Sequence, residues 1–119
     1  MKYWILLLCA ACAGASAQNV KIGELNSYKV VPAFLGPYKK GMELALEEIN
    51  RSGGVLGRKL ELVTRDDGGT PGDAVRVAEE LIAREKVVVL MGTFASNVGL
   101  AVANLARQRR ILFVASEPL

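Results

Sequence analysis

The stretch Val87-Val88-Val89-Leu90-Met91 decides the fold of this chain, because it is an unbroken apolar run with the length of a strand. Such a run is typical of a central strand in a parallel sheet, which helices cover on both faces. Parallel neighbours are joined by long crossover connections, usually helices. The fold therefore depends on whether helical patterns flank this run.

Both flanking segments carry helical patterns. Before the run, Thr70 is a predicted N-cap, Pro71 takes the first helical position, and Asp73 completes an acidic capping box. After the run, a helix is predicted from residue 96 to about residue 108, with Ser96 as its N-cap. Each helix has an apolar stripe at helical spacing. The stripes are Ala74, Val77, Ala78 and Leu81, then Val98, Val102, Leu105 and Ala106.

Farther out, three more strand patterns and one more helix complete an alternating order. Strands are predicted at residues 20–25, 59–64 and 111–115, and a helix at residues 37–50 with Pro37 in its first turn. The apolar stripe of that helix is Met42, Ala45, Leu46 and Ile49. The order β-α-β-α-β-α-β predicts an α/β fold, a doubly wound parallel sheet with helices on both faces.

The loops that follow the strands are the candidate ligand site, because ligands of such sheets bind beyond the carboxyl ends of the strands. The loop at residues 92–97 runs from a strand end into a helix start, where free N–H groups and the helix dipole favour a carboxylate. Ser96 would hold such an anion, or would only cap its helix. Thr93 and Asn97 have the same two interpretations.

The motifs of common enzymes are absent from these loops. A dinucleotide fingerprint needs glycines directly after the first strand, where this chain has Asn26-Ser27-Tyr28-Lys29. The chain contains no histidine, which removes the commonest general base and the commonest metal ligand. We therefore expect no catalytic residues, no metal and no cofactor.

The N-terminus has the layout of a secretory signal peptide. Lys2 gives a positive start, residues 4–13 are apolar and uncharged, and Ala15-Ser16-Ala17 fits a signal peptidase site. We expect residues 1–17 to be removed by cleavage before Gln18. The alternatives are a buried N-terminal helix and a lipoprotein signal, but Leu8 stands before Cys9 where a lipoprotein signal has a small residue.

Cleavage would leave a mature chain without cysteine, since Cys9 and Cys12 both lie in the signal segment. The mature chain would carry a charge of about +2 without a basic cluster, because the full chain carries +3 and Lys2 is lost. This balance does not favour a nucleic acid or an anionic membrane as a partner. The remaining residues 18–119 are enough for one small domain at most.

A glycine-rich segment points to a family. It reads Asn50-Arg51-Ser52-Gly53-Gly54-Val55-Leu56-Gly57-Arg58-Lys59-Leu60-Glu61-Leu62. It resembles a turn of exported type I solute-binding proteins, the amino acid receptors of ATP-driven importers, with the branched-chain amino acid receptors as the nearest group. The resemblance continues at residues 41–45, 65–67, 91–97 and 111–118. In physical terms, the glycines permit a sharp turn with positive φ between a helix and a strand.

The resemblance implies a two-lobed periplasmic-binding-protein-like fold, of which residues 18–119 are an incomplete N-terminal lobe. It implies a non-catalytic protein of the periplasm that carries an amino acid or a related carboxylate to the membrane permease of an importer. The alternatives are the ligand-binding sensory domain of a receptor, or an amide-responsive regulator with the same fold. A fragment of a longer protein and a truncated gene product remain equally open.

The resemblance also assigns ligand contacts. Ser96 falls where the family binds the α-carboxylate of the ligand, and Phe34 falls at an aromatic wall before the first helix. Asn26 and Ser27 match the rim after the first strand. Glu117 and Leu119 fall where family groups take the ammonium and carboxylate of the ligand, although Leu119 lacks the usual hydroxyl. Glu117 would pair with a cationic ligand group or be only a surface acid.

Overall fold

The computed structural model describes residues 17–117, and these residues form strands and helices in strict alternation. The predicted order is confirmed. Among these residues, no helix is both long and apolar enough to cross a membrane. The elements are β1 (Val20–Asn26), α1 (Pro32–Arg51), β2 (Leu60–Asp66), α2 (Pro71–Ala83), β3 (Val89–Gly92), α3 (Ser96–Arg109) and β4 (Leu112–Ala115).

The four strands make one parallel sheet with the order β2-β1-β3-β4. Ile22 of β1 stands opposite Leu62 of β2 on one side and Val89 of β3 on the other. The chain first adds β2 to one edge of β1 and then crosses to the other edge to add β3. The point where the order reverses therefore lies between β1 and β3, where a doubly wound sheet places its ligand.

The hydrophobic core lies between the sheet and the helices α2 and α3. Leu25 and Leu90 project from β1 and β3 into this core and are fully buried. The predicted stripes of both helices are buried, as expected. At the start of α2, the Thr70 hydroxyl accepts the Asp73 backbone N–H at 3.3 Å and donates to the Asp73 carboxylate at 3.0 Å. The predicted cap is therefore confirmed.

Helix α1 begins at Pro32, so the predicted start at Pro37 was wrong. Pro32 occupies the first turn, where the missing N–H of a proline costs nothing. Pro37 lies inside the helix and removes one backbone hydrogen bond, which the rest of this 20-residue helix tolerates.

The opposite face of the sheet is only partly covered, by α1. Met42 and Leu46 of α1 are half-buried, whereas Ala45 and Ile49 are exposed, so this predicted stripe is not fully buried. An apolar groove of about 150 Å³ separates the stripe from sheet residues that include Ile22. The expected coverage of β3 on both faces is therefore incomplete, because α1 does not extend across the whole sheet.

The edge strand β4 is the most open part of this face. Leu112 and Val114 are 65% and 47% exposed, whereas Phe113 between them packs against the core on the other face. The alternation places every second side chain of β4 on the uncovered face. An apolar edge of this kind favours association with another polypeptide segment.

The glycine-rich turn after α1 has the structural role predicted for it. The Asn50 side chain makes two hydrogen bonds of 2.8 Å, to the backbone N–H and the carbonyl of Leu60, and so ties α1 to β2. Gly54 has a φ of +77°, and a Cβ there would lie 2.1 Å from the carbonyl oxygen of Arg58. Only glycine fits this position, because both the backbone conformation and the contact exclude a side chain.

Candidate ligand site

The candidate site lies above the carboxyl ends of β1 and β3. The two backbones approach closely at Gly92, where a Cβ would lie 2.2 Å from the carbonyl oxygen of Leu25. Gly92 has a φ of +116°, and Thr93 follows with a φ of +68°. These two residues turn the chain sharply out of β3 and direct it toward α3.

Helix α3 begins at Ser96, so Ser96 is its first residue and not its N-cap. The N-cap is Ala95, which has the extended backbone of a cap but no side chain that can accept a hydrogen bond. The predicted capping role of Ser96 was therefore wrong, since the helical backbone starts one residue earlier than that role requires. Ser96 and Asn97 are both exposed, and the Asn97 side chain accepts the backbone N–H of Val98 at 3.0 Å.

The residues predicted for the rim after β1 hold the loops together. Ser27 is only 2% exposed. Its hydroxyl donates a hydrogen bond to the Asp67 carboxylate at 2.8 Å, which connects the loops after β1 and β2. Asn26 is fully buried, and its side-chain amide donates to Glu117 at 3.0 Å. The structure therefore gives both side chains partners within the lobe, and a ligand contact of Ser27 stays a prediction.

An aromatic pair borders the loop that leads to α3. The rings of Phe34 and Phe94 are tilted by 59°, with their centroids 5.5 Å apart. Phe34 remains 55% exposed, as an aromatic wall residue would be, but it lies in the first turn of α1 and not before the helix as predicted. Sequence reasoning missed Phe94, although it lies only two residues before Ser96 in the candidate loop.

The loop after β4 lies against α1 and β1. The hydroxyls of Tyr38 and Ser116 are 2.9 Å apart and share a hydrogen bond. Glu117 is half-buried and accepts the hydrogen bond from Asn26, so it is not a free surface acid. Leu119 lies outside the described residues, as do residues 1–16 of the predicted signal segment 1–17.

Sequence reasoning also missed a buried carboxyl group beneath the site. Glu24 is fully buried, and neither carboxyl oxygen has a hydrogen-bond partner within residues 17–117. Burial raises the pKa of Glu24 from its ordinary value of 4.5 to about 7, the charge of Asp67 adds to the rise, and polar groups of Tyr28, Thr64 and Asn26 limit it. The only sequence signal was an acidic residue between Gly23 and Leu25 in β1.

Two tyrosines also lie near Glu24. Burial raises the pKa of Tyr28, and the neighbouring Glu24 adds to the rise. Burial also raises the pKa of Tyr38, partly offset by its hydrogen bond to Ser116. Within the part of the chain that the structure describes, no group of three or more acidic or cysteine side chains is placed to hold a metal ion.

Comparison with known proteins identifies the family. The family model described as periplasmic binding protein matches residues 19–118. The chain belongs to the periplasmic binding protein family. The predicted resemblance and the predicted fold are thereby confirmed.

Among the relatives of this periplasmic binding protein is a Brucella suis protein named Leu/Ile/Val-binding protein homolog 7. The two are 38% identical over 103 residues, which cover 86% of this chain and 25% of the relative. The branched-chain amino acid transporter substrate-binding protein of Streptococcus pneumoniae, solved with isoleucine, superposes with a TM-score of 0.77. Its identity is 26%, over 84% of this chain and 29% of that one.

A third similar protein binds an aromatic ligand. The solute-binding protein of a Rhodopseudomonas palustris ABC transporter, solved with benzoate, is 33% identical with a TM-score of 0.69. The match covers 80% of this chain and 26% of that protein. The chain thus spans about a quarter of the length of the proteins it resembles.

Proposed function

We propose that this chain belongs to the exported solute-binding component of an ABC-type importer and binds a small carboxylate-bearing ligand such as an amino acid. The observation that carries the proposal is the N-terminus of α3, which begins with the exposed Ser96 beside the point where the strand order reverses. Helix N-termini bind anions through free N–H groups and the helix dipole. The Ser96 hydroxyl and the first-turn N–H groups would hold the carboxylate.

The transport role is supported by the two solved structures, which are substrate-binding or solute-binding proteins of transporters, and by a relative named as a Leu/Ile/Val-binding protein homolog. We propose that the ligand is passed to a membrane permease and that the protein acts in the periplasm, after cleavage of the signal segment. A second lobe, in a protein of the relatives' length, would close over the ligand and bury most of its surface. The importer role is preferred to a sensory receptor because the relatives named above include transporter components.

A second ligand class is favoured by the pair Phe34 and Phe94. Aromatic rings prefer tilted or offset contacts with other rings, at centroid distances of roughly 4.5–7 Å. The Phe34 side chain is still 55% exposed beside its aromatic partner Phe94. A benzoate-like ligand would place its carboxylate at Ser96 and its ring against Phe34, and the benzoate-bound relative supports this candidate.

The test is calorimetry on a form of the protein with the length of its relatives, using isoleucine and benzoate as probes. Ser96→Ala is expected to weaken binding of the preferred probe by about 1–3 kcal/mol, the typical cost of leaving a charged acceptor short of a partner. Ser52→Ala, in the turn after α1, is the matched control and should leave the affinity unchanged. An affinity that Ser96→Ala does not alter, or no binding of either probe, would contradict the proposal.

Phe34→Ala separates the two ligand classes. If the ligand carries a ring, this substitution should weaken benzoate binding more than isoleucine binding, because an aromatic pair contributes about 0.5–1.5 kcal/mol beyond its buried area. Equal losses for both probes would support an aliphatic ligand.

A further inference from the structure

Several buried polar atoms at the carboxyl ends of β1 and β3 have no hydrogen-bond partner among the described residues. They include both carboxyl oxygens of Glu24, the Tyr28 hydroxyl and the Thr93 hydroxyl. Glu24 and Thr93 are fully buried. Buried polar groups in folded proteins are nearly always paired with a hydrogen-bond partner. A group of unpaired ones therefore marks a place where a proton, a water or a ligand atom would supply the missing hydrogen bonds.

Glu24 lies between the two loops that border the candidate site. A Cβ at Gly92 would lie 3.2 Å from a carboxyl oxygen of Glu24, so the carboxyl touches the start of the loop that leads to Ser96. Tyr28, in the turn after β1, faces the same carboxyl. One side chain is therefore in contact with both loops.

The surroundings of Glu24 are acidic or neutral. Asp67 faces it from the loop after β2, and Glu117 lies near the same tyrosines from the loop after β4. The remaining ionisable neighbours are Tyr28 and Tyr38. Lys39 lies over the Tyr28 ring, with its Nζ 5.9 Å from the ring centroid, and none of the described cations forms an ion pair with Glu24.

We propose that Glu24 is a positioning residue, whose proton holds the loop after β1 and the loop after β3 in the arrangement that presents Ser96. The protonated carboxyl donates one hydrogen bond and accepts another, so it can pair with the Tyr28 hydroxyl that faces it while it contacts the backbone at Gly92. The ionised carboxyl only accepts, and it brings a negative charge into a buried acidic region. The loops therefore loosen when Glu24 loses its proton.

The same charge would act on a bound carboxylate, and this consequence rests on the proposed function. An anion near Ser96 and an ionised Glu24 repel each other, so each disfavours the other by the same factor. Ligand affinity should then fall as the pH rises through 7, and binding should take up protons from the buffer. The loop response itself needs no ligand.

The experiment is a pH titration of the mature chain by nuclear magnetic resonance, at a concentration below its self-association. We expect the Glu24 carboxyl carbon to titrate with a midpoint near 7, and the backbone amides of Tyr28 and of residues 92–97 to follow with the same midpoint. Glu24→Gln keeps the shape of the side chain and should remove the titration from both loops. Glu43→Gln, at an exposed position of α1, is the control and should leave it intact.

Three results would overturn the proposal: titration of Glu24 near 4.5, loop amides that do not follow Glu24, or a loop titration that persists in Glu24→Gln. The wild-type titration tests the proposal even if the variant folds poorly. The two proposals can also be separated in a protein of the relatives' length. If its loops titrate with Glu24 but it binds no carboxylate at any pH, this inference is supported and the proposed function is contradicted.

Discussion

The Asn26 side chain donates a hydrogen bond to the Glu117 carboxylate across 3.0 Å and joins the end of β1 to the loop after β4. These strands are not neighbours, because β3 lies between them. The hydrogen bond therefore spans the end of β3, beside the candidate site. Asn26 is fully buried, and its side-chain oxygen accepts the Ser27 backbone N–H at 3.1 Å.

Asn26→Asp should lower the free energy of unfolding at neutral pH by about 1–3 kcal/mol, because a carboxylate would replace the donor that Glu117 needs. Adding Glu117→Gln supplies an amide donor to the new carboxylate and should recover most of the loss. Urea denaturation of the two single variants and the double variant measures this coupling. Additive effects would show that the two side chains do not interact.

Glu24 should make the stability of the chain depend on pH. Its folded pKa of about 7 lies above the ordinary value of 4.5, so the folded state keeps a proton that the unfolded state releases. Stability should therefore fall as the pH rises from 4.5 to 7, by roughly 3 kcal/mol, and this contribution should change little at higher pH.

The measurement is urea denaturation from pH 4.5 to above pH 7, on the wild type and on Glu24→Gln. The variant should lack this fall and should be more stable than the wild type above pH 7. If the free energy of unfolding depends on pH in the same way in the wild type and in Glu24→Gln, the raised pKa of the buried Glu24 is contradicted.

Gly54→Ala should destabilise the chain more than Gly57→Ala does. Both glycines have positive φ, at +77° and +74°, so each substitution costs about 1–2 kcal/mol of backbone strain. Only at Gly54 would the new Cβ meet the Arg58 carbonyl, whereas no atom lies within 4 Å of a Cβ at Gly57. Thermal melts of the two variants measure the difference in stability that this contact causes. Equal losses of stability in both variants would contradict the predicted effect of the contact.

Residues 18–119 alone should self-associate through the uncovered face of β4. Val114→Lys places a charge on this apolar edge and should reduce association, as charged residues do on natural edge strands. Leu56→Lys is the matched control, because Leu56 is 97% exposed in the turn after α1, away from β4. Sedimentation across a concentration series measures the oligomeric state. If the two variants reduce self-association equally, the uncovered face of β4 is not the associating surface.

Export should remove residues 1–17 and leave Gln18 as the N-terminus, because Ala15 and Ala17 fit the peptidase and neither cysteine has a good lipoprotein context. The intact mass of the exported protein checks both points. A lipid-modified N-terminal cysteine would contradict this prediction.

The sequence by itself determined the α/β class, the element order and the buried stripes of α2 and α3. These features depend on periodicity and capping within a few residues, such as Thr70 with Asp73, so local chemistry is sufficient to predict them. It also located the loop at residues 92–97, because the position of a loop after a strand follows from the topology alone.

Only the tertiary structure decided which distant side chains meet. The contact of Phe34 with Phe94, the hydrogen bond from Asn26 to Glu117 and the burial of Glu24 each join elements far apart in the chain. No periodicity encodes such pairs, since they depend on the crossovers that place β3 and β4 on one side of β1. The start of α1 was likewise not predicted from the sequence. Pro32 and Pro37 are both compatible with a first helical turn, and the helix begins at Pro32, with Leu35 fully buried in its first turn.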